Sequence, residues 1–137
     1  MRVILDTNLL VSALLNRGTP PRQLYDHWRQ GRFALVSCEA QLQELRAVLG
    51  RPSFSDRIKK SEAGSMVNGI RRLALMYTPR QAPEVSTDSG DDYLLALAEV
   101  SRADSLVTGD KDHLLRLGHH GPTRILTARE LITLLGG

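Results

Sequence analysis

Apolar positions along the chain fall into two kinds of run that alternate. Short continuous runs occupy residues 3–5, 33–37, 75–78, 105–108 and 124–126, and each reads as a strand buried on both faces. Between them lie longer stretches with a helical period. The pattern predicts helices over 8–15, 21–30, 38–49, 91–101, 110–117 and 128–135. In 21–30 the inward positions are Leu24, Tyr25 and Trp28, and in 38–49 they are Leu42, Leu45 and Leu49. Residues 51–53 break the pattern, and 55–75 reads as one or two helices interrupted around Gly64 and Gly69. Residues 80–90, with Pro83, Ser86, Thr87, Ser89 and Gly90, read as a loop.

Alternation of this kind predicts an α/β fold, a parallel sheet of about five strands between two layers of helices. With 137 residues, no repeat and no linker, the chain is expected to form one domain over 1–137.

In such sheets ligands bind beyond the carboxyl ends of the strands. Asp6 ends the first strand, and Asp110 follows the fourth in Leu106-Val107-Thr108-Gly109-Asp110. Asp92 opens the helix before the fourth strand, and Glu44 lies in the helix after the second. If the first and fourth strands are neighbours, Asp6 and Asp110 share one sheet edge. Crowded carboxylates repel, and a divalent cation is the usual compensation. Oxygen donors without Cys or well-spaced His favour Mg²⁺ or Mn²⁺ over Zn²⁺. Such a site polarises phosphate esters and acidifies water. Each acid also has an ordinary explanation: Asp6 and Asp110 as helix caps, Asp92 as an acid at a helix start, Glu44 as a solvated helix residue.

Composition adds a partner class. The net charge is +3, and committing four of the 15 acids to one site leaves 11 against 18 basic residues. A negative pit on a positive surface suits an enzyme acting on phosphodiesters. Aromatics are 4% of the chain, so stacking of bases is not the main binding device. Arg57, Lys59, Lys60, Arg71 and Arg72 form a basic region whose simplest reading is a solvated face. His119 and His120, adjacent between glycines, read as surface loop. A single cysteine, Cys38, excludes an internal disulfide and a Cys-rich zinc site. Asp6 and Asn8 interrupt the only apolar run near the start, so no signal peptide is expected. No stretch reaches the roughly 20 apolar residues of a membrane span. The cytoplasm is the expected compartment.

Four segments resemble, in order and spacing, the motifs of PIN-domain nucleases. They are Val3-Ile4-Leu5-Asp6-Thr7-Asn8, then Leu42-Gln43-Glu44-Leu45-Arg46-Ala47-Val48-Leu49. Asp91-Asp92-Tyr93-Leu94-Leu95-Ala96-Leu97-Ala98 and Val107-Thr108-Gly109-Asp110-Lys111-Asp112 follow. The chain is similar in particular to the VapC-like toxin branch. The resemblance implies a PIN-like three-layer sandwich with strand order 3-2-1-4-5. It also implies cleavage of RNA dependent on Mg²⁺ or Mn²⁺, with water attacking the phosphodiester. Catalytic roles would fall to Asp6, Glu44, Asp92 and Asp110, and metal ligation to Asp6, Asp92 and Asp110. Frequent homodimers and a cognate antitoxin that occludes the site belong to the same implication. In the third motif Asp88, Asp91 and Asp92 are all available, and the family pattern favours Asp92, directly before the apolar run. In the fourth, Asp110 is the better match, with Asp112 in support. Asn8, Thr108 and Asp91 are supporting candidates.

Three other functions fit the sequence less well. A haloacid-dehalogenase-type phosphatase needs Asp-x-Asp after the first strand, where this chain has Asn8, and Thr or Val where it has Leu10. A receiver-like domain needs an Asp after the third strand, where Tyr77-Thr78-Pro79 offers none. A non-catalytic RNA-binding protein on the same fold would be signalled by loss of one acid, yet all four are present.

Overall fold

The computed structural model describes residues 1–79, 89–110 and 112–137, except for the side chains of 89–92. The elements run β1 (Arg2–Leu5), α1 (Thr7–Leu15), α2 (Pro20–Arg29), β2 (Ala34–Ser37), α3 (Glu39–Leu49), α4 (Pro52–Ser55) and α5 (Lys60–Leu73). They continue with β3 (Leu75–Met76), α6 (Ser89–Ser101), β4 (Ser105–Val107), α7 (Leu114–Leu117), β5 (His119–His120), β6 (Thr123–Leu126) and α8 (Ala128–Leu134). Among the described residues one sheet forms, in the order β3-β2-β1-β4-β6-β5.

The expected order 3-2-1-4-5 is present as β3-β2-β1-β4-β6, all parallel. The expectation of a purely parallel sheet is corrected at one edge. His119 and His120 form the short antiparallel strand β5 on β6, with His119 opposite Arg124 and His120 opposite Thr123. Two residues carry no readable period, which is why the pair reads as loop in the sequence. Gly121, at φ 57°, makes the tight return between the two strands.

Both faces of the sheet are covered, so its strands are apolar throughout rather than alternating. Val3, Leu5, Leu35, Val107 and Leu126 face one layer with Leu10, Leu24, Trp28, Leu45, Ile70 and Leu131. Ile4, Val36, Leu106 and Ile125 face the other, with Leu94, Leu95, Leu97 and Leu114. Tyr25 and Trp28 are buried in the first layer, as the helical stripe predicts.

Three local expectations are revised. The helix over Lys60–Leu73 is continuous through Gly64 and Gly69. Burial of Met66, Val67 and Ile70 outweighs the cost of about 1 kcal/mol for each glycine. A Cβ at Gly69 would meet only the tip of the flexible Arg29 side chain, which can move aside, so packing does not demand glycine there. Residues 51–53 do not simply end a helix; Pro52 opens the short helix α4. The helix expected over 110–117 shrinks to Leu114–Leu117, because the Asp110 side chain holds a turn instead. Of the expected loop 80–90, residues 89 and 90 belong to α6 and the rest lie outside the described residues. Among the described residues no helix is long and apolar enough to cross a membrane.

Candidate active site

Parallel pairing of β1 with β4 sets Leu5 opposite Val107. The next residues, Asp6 and Thr108, therefore leave the sheet side by side, and the Asp6 N–H donates to Val107 O at 2.9 Å. Asp6 is the N-cap of α1, and its Oδ1 accepts the Asn8 N–H at 3.4 Å. Its Oδ2 accepts the Thr108 hydroxyl at 2.7 Å. The cap and a site role thus coexist in one side chain.

Asp6 is only 8% exposed. Burial, before any other cause, pushes its carboxyl above the ordinary carboxylate value. The hydrogen bonds from Thr108 and Asn8 pull it back, and the charges of Glu44 and Asp110 add to the rise. Acids from three separate motifs therefore act on one another here.

Asp110 sits just past β4. Its backbone N–H donates to Thr108 Oγ1 at 3.0 Å, so Thr108 links the two aspartates. Its Oδ1 accepts the N–H groups of Asp112 and His113 at 3.1 and 3.2 Å. Asp112 is exposed and enters this turn through its backbone, and Asn8 likewise meets Asp6 through its backbone N–H. Glu44 projects from α3 and is exposed, yet its Oε1 accepts the Tyr93 hydroxyl at 2.7 Å. Asp91 and Asp92 lie in the first turn of α6, two and one residues before Tyr93, and their side chains are outside the described residues, as is all of Asp88.

Four polar residues that the motifs do not single out stand behind these acids. Tyr93 Oη lies 3.1 Å from Thr7 Oγ1 as well as 2.7 Å from Glu44. Gln41 Nε2 donates to Leu5 O at 2.6 Å and reaches Thr7 Oγ1 at 3.5 Å. Ser37 Oγ donates to Gln41 Oε1 at 2.6 Å. Ser37, Gln41 and Thr7 are all buried. Signals for two of them were available. Gln41 stands four residues before Leu45 on the buried stripe of α3, and Tyr93 is the one side chain with a polar tip in the apolar run 93–98. Burial pushes the Tyr93 phenol up, the Thr7 hydrogen bond pulls it down, and the Glu44 carboxylate adds to the rise. The net effect is upward, which keeps Tyr93 a proton donor. Cys38 is buried, and that burial pushes its thiol up, which removes it as a nucleophile.

The PIN domain family model matches residues 2–112, a span that holds all four motifs. The chain belongs to the PIN-domain family. PIN domains are generally nucleases that use divalent metal ions, and the mostly parallel sheet with helices on both faces is the PIN-like fold. No curated protein matches the chain.

The residues present fit a divalent cation of the PIN-domain type in their chemistry. The donors are carboxylate oxygens, and Asp6 carries an unfavourable burden of burial and like charge that a cation relieves. Among the described residues no three His, Cys, Asp or Glu side chains alone make a metal cluster.

Proposed function

We propose that this protein is a metal-dependent endoribonuclease that hydrolyses RNA phosphodiester bonds, and that it is the toxin of a toxin–antitoxin pair. The observation that carries the nuclease reading is Asp6: a buried carboxylate at a strand end, its ionisation opposed by Glu44 and Asp110. A protein keeps so costly an arrangement where a cation or a substrate needs it. Membership of the PIN-domain family supports the same reading.

Asp6, Asp92 and Asp110 would hold Mg²⁺ or Mn²⁺, and Glu44 would complete the anionic ring. The bound ion supplies Lewis-acid polarisation of the scissile phosphate and a lowered pKa for water. Thr108 orients Asp6 through its hydroxyl and Asp110 through that residue's backbone N–H. Asn8, Asp91 and Asp112 are supporting residues at the rim. The positive charge elsewhere on the chain favours approach of an RNA backbone. The toxin role, a cognate antitoxin and a homodimer rest on the resemblance to the toxin branch, and a cytoplasmic location on the expectation from the sequence alone.

The test is RNA cleavage by purified protein with Mg²⁺, with Mn²⁺ and with EDTA, beside Asp6→Asn. Cleavage that needs metal and vanishes in the variant is expected. Binding of RNA with no cleavage under either metal would replace this reading with a non-catalytic RNA-binding protein. Growth arrest on expression of the protein alone, relieved by a neighbouring gene product, tests the toxin role.

A further inference from the structure

We propose that Tyr93 is a positioning residue that clamps Glu44 to the end of β1 and so holds the anionic ring in its working shape. The inference rests on the ring being the nuclease site.

Three distances define the clamp. Tyr93 Oη is 2.7 Å from Glu44 Oε1 and 3.1 Å from Thr7 Oγ1, and Thr7 Oγ1 is 3.5 Å from Gln41 Nε2. The donors can be ordered by chemistry alone. An ionised Glu44 only accepts, so the Tyr93 proton points to it. Tyr93 Oη then accepts from the Thr7 hydroxyl. Thr7 Oγ1 in turn accepts from the Gln41 amide, whose other strong contact is Leu5 O at 2.6 Å. The result is a chain of donors running one way from the Gln41 amide out to Glu44, with the same amide also donating to Leu5 O, in the residue before Asp6.

Glu44 needs such a chain. It is exposed on α3, where an unheld glutamate samples several rotamers. Tyr93 follows Asp91 and Asp92 directly on α6, so its phenol ties the third motif to the first and the second together. Tyr93 is partly buried and packs against the apolar cluster that includes Ile4 and Leu94, which restricts its ring. A rigid phenol with one rotatable proton is a short, stiff strut between buried Thr7 and exposed Glu44.

The experiment compares wild type, Tyr93→Phe, Glu44→Ala and the double variant, the phenylalanine keeping the packed ring. Mn²⁺ affinity is measured by titration calorimetry, and RNA cleavage is resolved into kcat and KM. Tyr93→Phe is expected to weaken Mn²⁺ binding about tenfold and to lower kcat by a similar factor, with KM for RNA unchanged. Added to Glu44→Ala, it is expected to do nothing more, because the acceptor of its hydroxyl is already gone. Wild-type Mn²⁺ affinity in Tyr93→Phe, or losses that multiply in the double variant, would overturn the proposal. Thr7→Val provides a second route should Tyr93→Phe melt below the assay temperature. It removes the donor behind Tyr93, a several-fold loss of Mn²⁺ affinity is expected, and none would overturn the clamp. A wild type that binds Mn²⁺ yet cuts no RNA removes the nuclease reading while the affinities still decide the role of Tyr93.

Discussion

Thr108 donates its hydroxyl proton to Asp6 across the junction of β1 and β4, at 2.7 Å, from a side chain with no exposure to solvent. The same oxygen accepts the Asp110 N–H. One hydroxyl thus orients a buried carboxylate and fixes the start of the turn that carries a second one.

Replacing Thr108 by valine keeps the volume and removes both bonds. The folded protein is expected to lose about 1–3 kcal/mol, measured by urea denaturation, because a buried carboxylate and an N–H each lose a partner. The Asp6 carboxyl then titrates at still higher pH, since the Thr108 hydrogen bond lowers it. Protons compete with metal for the ligand, so Mn²⁺ affinity should fall more at pH 6 than at pH 8.

Asp6→Asn is expected to abolish cleavage with the fold intact. Its effect on stability follows from the raised Asp6 carboxyl. The folded state holds that proton more tightly than the unfolded chain, so wild-type stability falls as pH rises from the unfolded carboxylate range through the folded value. Metal-free Asp6→Asn is therefore expected to melt a few degrees above wild type at pH 7, with the gap closing at acid pH. A circular-dichroism melt that finds Asp6→Asn unfolded would recast Asp6 as a structural cap.

Divalent metal should stabilise the wild-type fold by mass action. At a concentration about 100 times its Kd, Mn²⁺ contributes about 2.7 kcal/mol, and EDTA should remove the gain. Thermal melts of Asp6→Asn should show little response to either, because the buried ligand is gone.

Gln41→Leu tests the scaffold behind the ring. The Gln41 amide satisfies Leu5 O and the Ser37 hydroxyl inside the protein. A leucine of similar size leaves both unpaired, and a loss of about 1–3 kcal/mol is expected in denaturant titration. An unchanged midpoint would mean that water replaces the amide there.

How much of this was readable in the chain varies by element. The continuous apolar runs at residues 3–5 and 105–107 and the 3.6-residue stripe Leu42, Leu45, Leu49 are local patterns, which survive in one dimension. Hence the α/β class and the places of Asp6 after β1, Glu44 in α3 and Asp110 after β4 were legible, whereas the order of the strands came from the resemblance to PIN domains. Three features needed the folded molecule. Continuity of α5 through Gly64 and Gly69 depends on burial against α3, which local propensity opposes. The edge strand at His119 and His120 exists only because β6 supplies its hydrogen-bond partners. The Tyr93–Glu44 contact spans 49 positions, and no period links residues that far apart. Backbone pattern is set by each segment's own side chains, whereas a polar contact between segments is set by where packing places two side-chain tips, and that is decided only when the whole chain folds.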